Sequence, residues 1–200
     1  DNEIKFDICG CYGEAEFTVA LPGVHNVINA LAAITVGFEI GLDKEEIQWG
    51  LQKLKLPDMR LQLKKSFFGA DIIDDAYNAS PDSMKAALDY LNQRGLNKKK
   101  AAILGDMLEL GDISKNAHIE IGKYASDRAD KIVAIGNFSE YIRMGAMEGN
   151  IDDNCIFTFP TVEEALPNII SLVGDCNIIL VKASRGMKLE RITQLLVRGS

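Results

Sequence analysis

The sequence predicts an α/β protein, most of it a three-layer domain with a mostly parallel sheet. From residue 60 onward, strand-like segments alternate with helical segments of about a dozen residues. The central strand segments are apolar at consecutive positions, which is typical of strands buried on both faces. The 200 residues are 47% hydrophobic and 26% charged, enough apolar surface for such a core. We therefore expect a Rossmann-like domain.

A different pattern precedes this domain. Residues 3–20 alternate around "CGCYG", which predicts a β-hairpin. Apolar residues at helical spacing then predict a helix from about Val24 to Phe38. Asp43 with Glu46 three residues later is a capping box and predicts the start of a second helix.

The segment "LPDMR", residues 56–60, separates the two patterns. It contains a proline, and the apolar period changes there from that of a helix to that of a strand. We place a domain boundary in it, with a hairpin and two helices at 1–56 and the α/β domain at 57–200.

The elements of the α/β domain follow in order. Strands are predicted at 60–66, 70–77, 100–107, 131–137, 155–159 and 177–184, and helices at 81–94, 114–128, 138–148, 162–173 and 188–197. Ligands of such folds bind beyond the carboxyl ends of the strands, so the strand-to-helix loops are the first place to look for a site.

Charge and cysteine content exclude several classes of protein. The formal net charge is −7, and the one dense basic run, Lys98 to Lys100, reads as a solvated strand edge, so no nucleic-acid partner is expected. The four cysteines form no C-x-x-C pair, which favours free thiols over a zinc site, and no metal ligands are assigned. Without an apolar run of 18 residues or a signal peptide, we expect a soluble cytoplasmic protein that does not insert into a membrane.

Three polar residues open the first predicted helix: His25, Asn26 and Asn29. Helix capping explains one of them. Two carboxamides and an imidazole exceed what one helix end requires, and together they could bind a purine edge or a ribose. Capping and ligand binding both remain open for this cluster.

Two loops carry further candidate groups. Asp74 and Asp75 end an apolar strand and precede Tyr77 and Asn78, and a carboxylate there can accept from a ribose or bind a magnesium-bound water. A turn followed by a helix cap is the alternative, but it leaves two adjacent carboxylates unexplained.

The loop after the last strand has two cations on either side of a hydroxyl: Lys182, Ser184 and Arg185. These groups suit a carboxylate or phosphate, whereas the plainer interpretation is a solvated loop. The usual phosphate-binding fingerprints, G-x-x-x-x-G-K-[ST] and G-x-G-x-x-G, do not occur in the sequence.

Taken together, the motifs resemble one family. "LPGVHNVINALAA", "MRLQ", "DDAYNASPDSMKAAL", "LGDMLELG" with His118 after it, and "ILVKASRGMKLE" occur in the order and spacing of the Mur ligases, above all of members that add D-alanyl-D-alanine. The resemblance extends from about residue 20 to 197.

The resemblance implies ATP-dependent amide formation in peptidoglycan precursor synthesis, and thus roles in cell-wall biogenesis, cell shape and division. The partners would be ATP, Mg²⁺, a UDP-N-acetylmuramoyl tripeptide and D-alanyl-D-alanine, in a cytoplasmic monomer. Residues 1–56 would be the end of the central ATP-binding domain, and residues 57–200 the C-terminal domain. In the family the P-loop, the magnesium ligands and a modified Lys lie upstream, so we expect this chain to be a fragment that is inactive alone.

The resemblance also implies roles for individual residues, although no catalytic residue is assigned. The expected ATP contacts are His25, Asn26, Asn29, Arg60 and Asp75. The residues expected on the D-alanyl-D-alanine side are Tyr77, Asn78, Lys182, Ser184 and Arg185, the last three chosen on charge. The family usually has Asn at Ser80 and Gly at Ala183, and a methyl group at 183 would restrict ligand approach if its φ were positive.

Two other functions stay open. One is a related Mur or folylpolyglutamate-type ligase with a different amino-acid acceptor. The other is a non-catalytic binding module that uses the α/β domain for protein contacts.

Overall fold

The structure is a computed structural model of the 200-residue chain. It describes residues 3–11, 13–21, 24–54 and 59–199, with the side chains of Val24 and His25 outside the description. The chain forms two compact units, Asp1–Pro57 and Asp58–Ser200. The predicted boundary at residues 56–60 falls largely on residues 55–58, which lie outside the described part.

The first unit consists of a hairpin and two helices. Strands β1 (Ile4–Gly10) and β2 (Gly13–Val19) pair antiparallel, and helices α1 (Val24–Glu39) and α2 (Lys44–Gln52) follow. Asp43 caps α2 in a full capping box with Glu46, as the sequence predicts. The hairpin and helices share a small apolar core: Phe17, Val19, Ala30, Ile34, Ile47 and Leu51.

The second unit is built on a six-stranded sheet with the order β3-β4-β8-β5-β6-β7. The strands are β3 (Gln62–Lys65), β4 (Asp71–Asp75), β5 (Lys100–Gly105), β6 (Lys131–Ile135), β7 (Ile156–Phe159) and β8 (Ile178–Lys182). Only the β3–β4 pair is antiparallel, because a short turn joins these strands. The last strand, β8, inserts between β4 and β5.

Five helices cover this sheet. They are α3 (Pro81–Arg94), α4 (Ser114–Ser126), α5 (Ser139–Met147), α6 (Val162–Val173) and α7 (Glu190–Arg198). Alternate strand residues such as Ile72, Ile103 and Val181 pack with the apolar sides of α6 and α7. The strand residues between them, such as Ile73 and Leu180, are also fully buried, and α3, α4 and α5 form the other group of helices. The predicted three-layer α/β domain with a mostly parallel sheet is confirmed.

Element ends differ from the prediction where the backbone turns sharply. β3 begins at Gln62 rather than residue 60 because Leu61 has φ +48°, which a strand does not allow. The last helix begins at Glu190 rather than residue 188, since residues 185–187 form a 3₁₀ turn and Lys188 is left-handed, with φ +56°. Both exceptions adjoin candidate site residues.

Candidate functional site

The carboxyl ends of β4 and β8 lie side by side. The two strands are parallel neighbours, and Asp75 pairs with Lys182 in the register of the sheet. The loops that leave these strands therefore start from one point on the sheet edge. The two strand ends and their loops bring together six of the predicted site residues: Asp75, Tyr77, Asn78, Lys182, Ser184 and Arg185.

Lys182 and Asp75 form a buried ion pair at this edge. The Lys182 ammonium donates to Asp75 Oδ2 at 2.5 Å and to the backbone carbonyl of Asn78 at 2.9 Å, and Lys182 is only 2% exposed. Burial lowers the pKa of Lys182, while the facing carboxylate of Asp75 raises it. The expectation that Lys182 is a free cation for the dipeptide carboxylate is therefore corrected, because its charge is already engaged inside the protein.

Asp74 has a structural role although it adjoins Asp75. Successive strand side chains point to opposite faces of the sheet. Asp74 is fully buried, with Oδ2 accepting from Lys64 Nζ at 2.5 Å and Oδ1 from the Thr193 hydroxyl at 3.2 Å. The two adjacent carboxylates thus belong to different faces, and only Asp75 belongs to the candidate site.

A strained segment places Arg60 beside this edge. Met59 and Leu61, on either side of Arg60, both have positive φ, at +61° and +48°. Two hydrogen bonds hold the segment: Leu61 N–H donates to Asp75 Oδ1 at 3.1 Å, and Tyr77 N–H donates to the Met59 carbonyl at 3.1 Å. Backbone strain of this kind persists only where surrounding contacts fix it.

Two arginines converge on the ring of Tyr77. The Arg60 guanidinium carbon lies 4.5 Å from the ring centroid and that of Arg185 lies 5.7 Å from it. Arg185 also contacts the Met59 sulfur at 3.0 Å, and Tyr77 is 40% exposed. Neither arginine forms an ion pair with any residue in the described part of the chain. Two cations on one aromatic ring suit an anionic ligand.

Ser184 connects this edge to the neighbouring loop. Its hydroxyl accepts from the Leu108 N–H at 2.9 Å, and its own N–H donates to the Asp106 carbonyl at 3.1 Å. The side chain is buried. Ser184 therefore joins the loop after β8 to the loop after β5, and of the three cationic or hydroxyl candidates in its loop only Arg185 is exposed.

Hydrogen bonds of Asp106 and His118 hold the loop after β5 in place. Asp106 is 1% exposed and accepts from the N–H groups of Asn137 at 2.8 Å and Phe138 at 3.1 Å. Burial raises the pKa of Asp106 above its ordinary value, against the effect of these donors. A Cβ at Gly136, where φ is +123°, would lie 2.4 Å from Asp106 Oδ1, so this position requires glycine.

His118 holds the same loop through both nitrogens of its ring. Nε2 accepts from the Met107 N–H at 2.9 Å, and Nδ1 lies 2.6 Å from the Ser114 carbonyl, which assigns the hydrogen to Nδ1 in a neutral ring. The ring stacks on Phe138 with centroids 4.5 Å apart, and burial lowers the pKa of His118. Asp106, Met107 and His118 thus form the internal contacts that fix this loop.

The first unit carries the two amides that the sequence singles out. Asn26 is buried and Asn29 exposed, and Asn29 Nδ2 lies 3.4 Å from Asn26 Oδ1. The His25 side chain lies outside the described residues. The convergence of these amides with Asp75 on one ligand stays a prediction.

The two departures from the family pattern fit their surroundings. Ser80 caps α3 and forms a capping box with Ser83. Ala183 is fully buried and is not among the residues with positive φ. The condition under which its methyl group would restrict the approach of a ligand is therefore not met. A Cβ at Gly105 would lie 2.7 Å from the Ala183 methyl group, which shows that this glycine leaves room for it.

Three further findings concern metals, thiols and membranes. In residues 3–11, 13–21, 24–54 and 59–199 no group of three or more His, Cys, Asp or Glu side chains could hold a metal ion. All four cysteines are free. Among the helices of the described segments, none combines the length and apolar character needed to cross a bilayer.

Comparison with known proteins identifies the family. The family model "Mur ligase, glutamate ligase domain" matches residues 59–185. A UDP-N-acetylmuramoyl-tripeptide–D-alanyl-D-alanine ligase of Bacillus subtilis (strain 168) is 40% identical over 187 residues, which are 93% of this chain and 41% of that protein. The chain thus spans about two fifths of the length of the curated relatives it matches.

Solved structures agree with this assignment. A crystal structure of MurF from Acinetobacter baumannii is similar with a TM-score of 0.82 and 31% identity, covering 98% of this chain and 43% of that one. The MurF ligase of Thermotoga maritima in complex with ADP shares the fold, with a TM-score of 0.74 and 22% identity over 99% of this chain and 44% of that one. This chain belongs to the Mur ligase family.

Proposed function

We propose that this chain is part of an ATP-dependent ligase that joins D-alanyl-D-alanine to a UDP-N-acetylmuramoyl tripeptide in peptidoglycan precursor synthesis. The name of the B. subtilis relative and the likeness to MurF structures support this substrate pair. In this proposal, residues 1–56 end a central ATP-binding domain and residues 57–200 form the C-terminal domain.

The observation that carries the proposal is the pair of arginines on Tyr77, beside Asp75 at the ends of β4 and β8. Among the residues that the structure describes, neither arginine has an ion-pair partner. The reaction involves anions at every stage. The tripeptide carboxylate takes the terminal phosphoryl group of ATP, and ADP is released. The dipeptide amine then attacks the acyl carbon, loses a proton, and phosphate leaves. Fixed cations stabilise such charge most where they need no rearrangement.

We assign the residues as follows. On the nucleotide side, Arg60 contacts ATP, Asp75 accepts from the ribose hydroxyls, and the amides of Asn26 and Asn29 contribute from the first unit together with His25. On the dipeptide side, Arg185 pairs with the terminal carboxylate, Tyr77 and Asn78 border it, and Ser184 holds the loop. We do not assign Lys182 as a direct contact of the dipeptide, because it is buried against Asp75.

Mg²⁺ belongs to this proposal through ATP. The described side chains offer no group able to hold the ion, and the sequence has no P-loop. We therefore assign the magnesium ligands and the phosphate cradle to the part of the relatives that this chain does not span. A monomer in the cytoplasm with no nucleic-acid partner remains our prediction.

An acceptor screen tests the proposal. A full-length ligase that contains this sequence is incubated with ATP, the UDP-linked tripeptide and a panel of amino acids and dipeptides, and product is detected by mass spectrometry. We expect product with D-alanyl-D-alanine. Product with a single amino acid instead would reveal a related ligase with another acceptor.

A variant tests the nucleotide role separately from the acceptor. We expect Asp75→Ala in that ligase to raise the KM for ATP by at least about tenfold, because it removes the proposed ribose contact, worth about 1.4 kcal/mol, together with the partner of Lys182 and of the Leu61 N–H. An unchanged KM and kcat would instead support a non-catalytic binding module. The isolated chain should bind ATP only weakly without a phosphate cradle, and calorimetry that gave a sub-micromolar Kd would contradict this.

A further inference from the structure

Lys182 lies between two groups that the proposed function assigns to different substrates. Its ammonium is 2.5 Å from the carboxylate of Asp75, on the nucleotide side, and 2.9 Å from the carbonyl of Asn78, on the dipeptide side. The Lys182 ammonium therefore joins the last residue of β4, Asp75, to Asn78 in the loop that follows.

The position of Lys182 in the sheet makes this contact rigid. It is the last residue of β8, paired with Asp75 on one side and with Leu104 of β5 on the other. Interior strands of a parallel sheet have little freedom to move, and the side chain is 2% exposed. Ligand cannot reach this ammonium without displacing the loop.

The second carboxylate oxygen of Asp75 extends the network. It accepts from the Leu61 N–H, and the Met59 carbonyl accepts from the Tyr77 N–H. Leu61, on one side of Arg60, is thus held to the carboxylate that Lys182 orients, and Met59, on the other side, is held to the loop that follows β4. Removal of Lys182 would take away the ion pair that orients Asp75 and the donor to the Asn78 carbonyl, and would thereby loosen the contacts of the Arg60 segment with this edge.

We infer that Lys182 is a positioning residue that couples the nucleotide and dipeptide halves of the site. This inference rests on the proposed function, because it assigns the two halves to the two substrates. Lys182 itself contacts neither substrate. Its effect arises because a shift of about 1 Å in reacting groups can cost as much as a hundredfold in rate.

Two substitutions distinguish this role from that of Asp75. In a full-length ligase containing this sequence, we expect Lys182→Met to raise the KM for both ATP and D-alanyl-D-alanine by about tenfold. Asp75→Asn can still accept from Leu61 and leaves the Lys182–Asn78 contact, so it should raise the KM for ATP by about tenfold and leave that for the dipeptide within about twofold. Lys182→Arg keeps the charge, and its two KM values should lie between those of wild type and Lys182→Met. This variant replaces Lys182→Met in the test if Lys182→Met does not fold.

Lys64→Met is the matched control. Lys64 of β3 also forms an ion pair with a carboxylate of β4, that of Asp74, which precedes Asp75 and lies on the opposite face. In this pair the carboxylate is the buried partner, whereas in the other pair it is Lys182. The loss of Lys64 should lower the Tm without changing either KM by more than about twofold. If Lys64→Met and Lys182→Met change both KM values equally, the role of Lys182 is only structural and the inference fails.

Amide hydrogen exchange on the 200-residue chain gives a readout that does not depend on activity. The Tyr77 N–H should exchange about tenfold faster in Lys182→Met, and at the wild-type rate in Lys64→Met. If the wild-type ligase makes no product with D-alanyl-D-alanine, the proposed function fails while the exchange experiment still tests the positioning role. If product forms but both KM values and the Tyr77 exchange rate stay at wild type in Lys182→Met, the inference alone is overturned.

Discussion

The carboxyl ends of β4 and β8 and those of β5 and β6 carry similar polar residues, but the protein uses them differently. We call the first the open edge (residues 59–61, 75–78 and 182–185) and the second the closed edge (residues 106–108, 118 and 136–138). At the open edge Arg60 and Arg185 have no ion pair within the described residues and Tyr77 is exposed. At the closed edge both Asp106 and His118 are buried and hydrogen-bonded.

The two edges differ in which of their side chains are exposed to a ligand. The carboxylates of Asp106 and Asp75 both accept internal hydrogen bonds, from two backbone N–H groups at Asp106 and from Lys182 and the Leu61 N–H at Asp75. The open edge differs because it also carries exposed cationic and aromatic side chains, namely Arg60, Tyr77 and Arg185. Hydrogen-bonding capacity used inside the protein is no longer offered to solvent. The closed edge therefore supports the open edge, to which it is joined through Ser184.

The largest effect should come from Gly136→Ala at the closed edge. The new methyl group would lie 2.4 Å from Asp106 Oδ1 on a backbone with φ +123°. We expect the free energy of unfolding, measured with urea on the chain, to fall by more than about 3 kcal/mol because strain and a clash add.

Gly69→Ala provides the control for that prediction. Gly69 also has positive φ, at +94°, but nothing lies within 4 Å of its Cβ position, so only strain is introduced. It should cost about 1–2 kcal/mol. Equal losses for the two variants would show that the contact with Asp106 contributes nothing.

His118→Leu should have the next largest effect. It leaves the Met107 N–H and the Ser114 carbonyl without their present partner, which we expect to lower the free energy of unfolding by about 2–3 kcal/mol. Asn116→Leu, an exposed change on the same helix, should stay within about 0.5 kcal/mol. A loss no greater than that of Asn116→Leu would mean that His118 does not close this edge.

The pH dependence of stability should reveal His118 as well. Burial lowers the pKa of His118 in the folded protein. As pH falls, His118 therefore becomes protonated in the unfolded chain near pH 6.5 and in the folded chain only at a lower pH. The contribution of His118 is fully present above about pH 6.5 and is lost as pH falls through the folded pKa, with a slope of at most about 1.4 kcal/mol per pH unit. The difference in unfolding free energy between wild type and His118→Leu should therefore shrink from pH 7 to pH 5, and a constant difference would contradict a buried neutral ring.

The smallest effect on stability should come from the open edge. Arg60→Ala and Arg185→Ala each remove a partly solvated contact with Tyr77 and should cost less than about 1 kcal/mol. In a full-length ligase, Arg60→Ala should raise the KM for ATP and Arg185→Ala that for the dipeptide, each by about tenfold. A large loss of stability with unchanged KM values would show that the two arginines have a structural role and do not bind a ligand.

Particular residues show why the sequence predicted some of these roles and missed others. Asp74 and Asp75 are identical side chains at adjacent positions, and their roles depend on which face of β4 packs against α7. Lys182 looked like a free cation because a sequence does not show that β8 inserts between β4 and β5. The positive φ values at Met59 and Leu61 had no sequence signal, since neither residue is one that favours that conformation.

By itself the sequence determined the order and type of the elements, the α/β class, the family, and the loops in which the candidate residues lie. These follow from local periodicity, capping residues and motifs, which act over short stretches of chain. Which polar groups of those loops have partners from other elements became known from the three-dimensional arrangement. The partners of Asp75, Asp106 and Ser184 lie far along the chain, and hydrogen bonds between distant segments depend on strand order and burial, which no local pattern encodes.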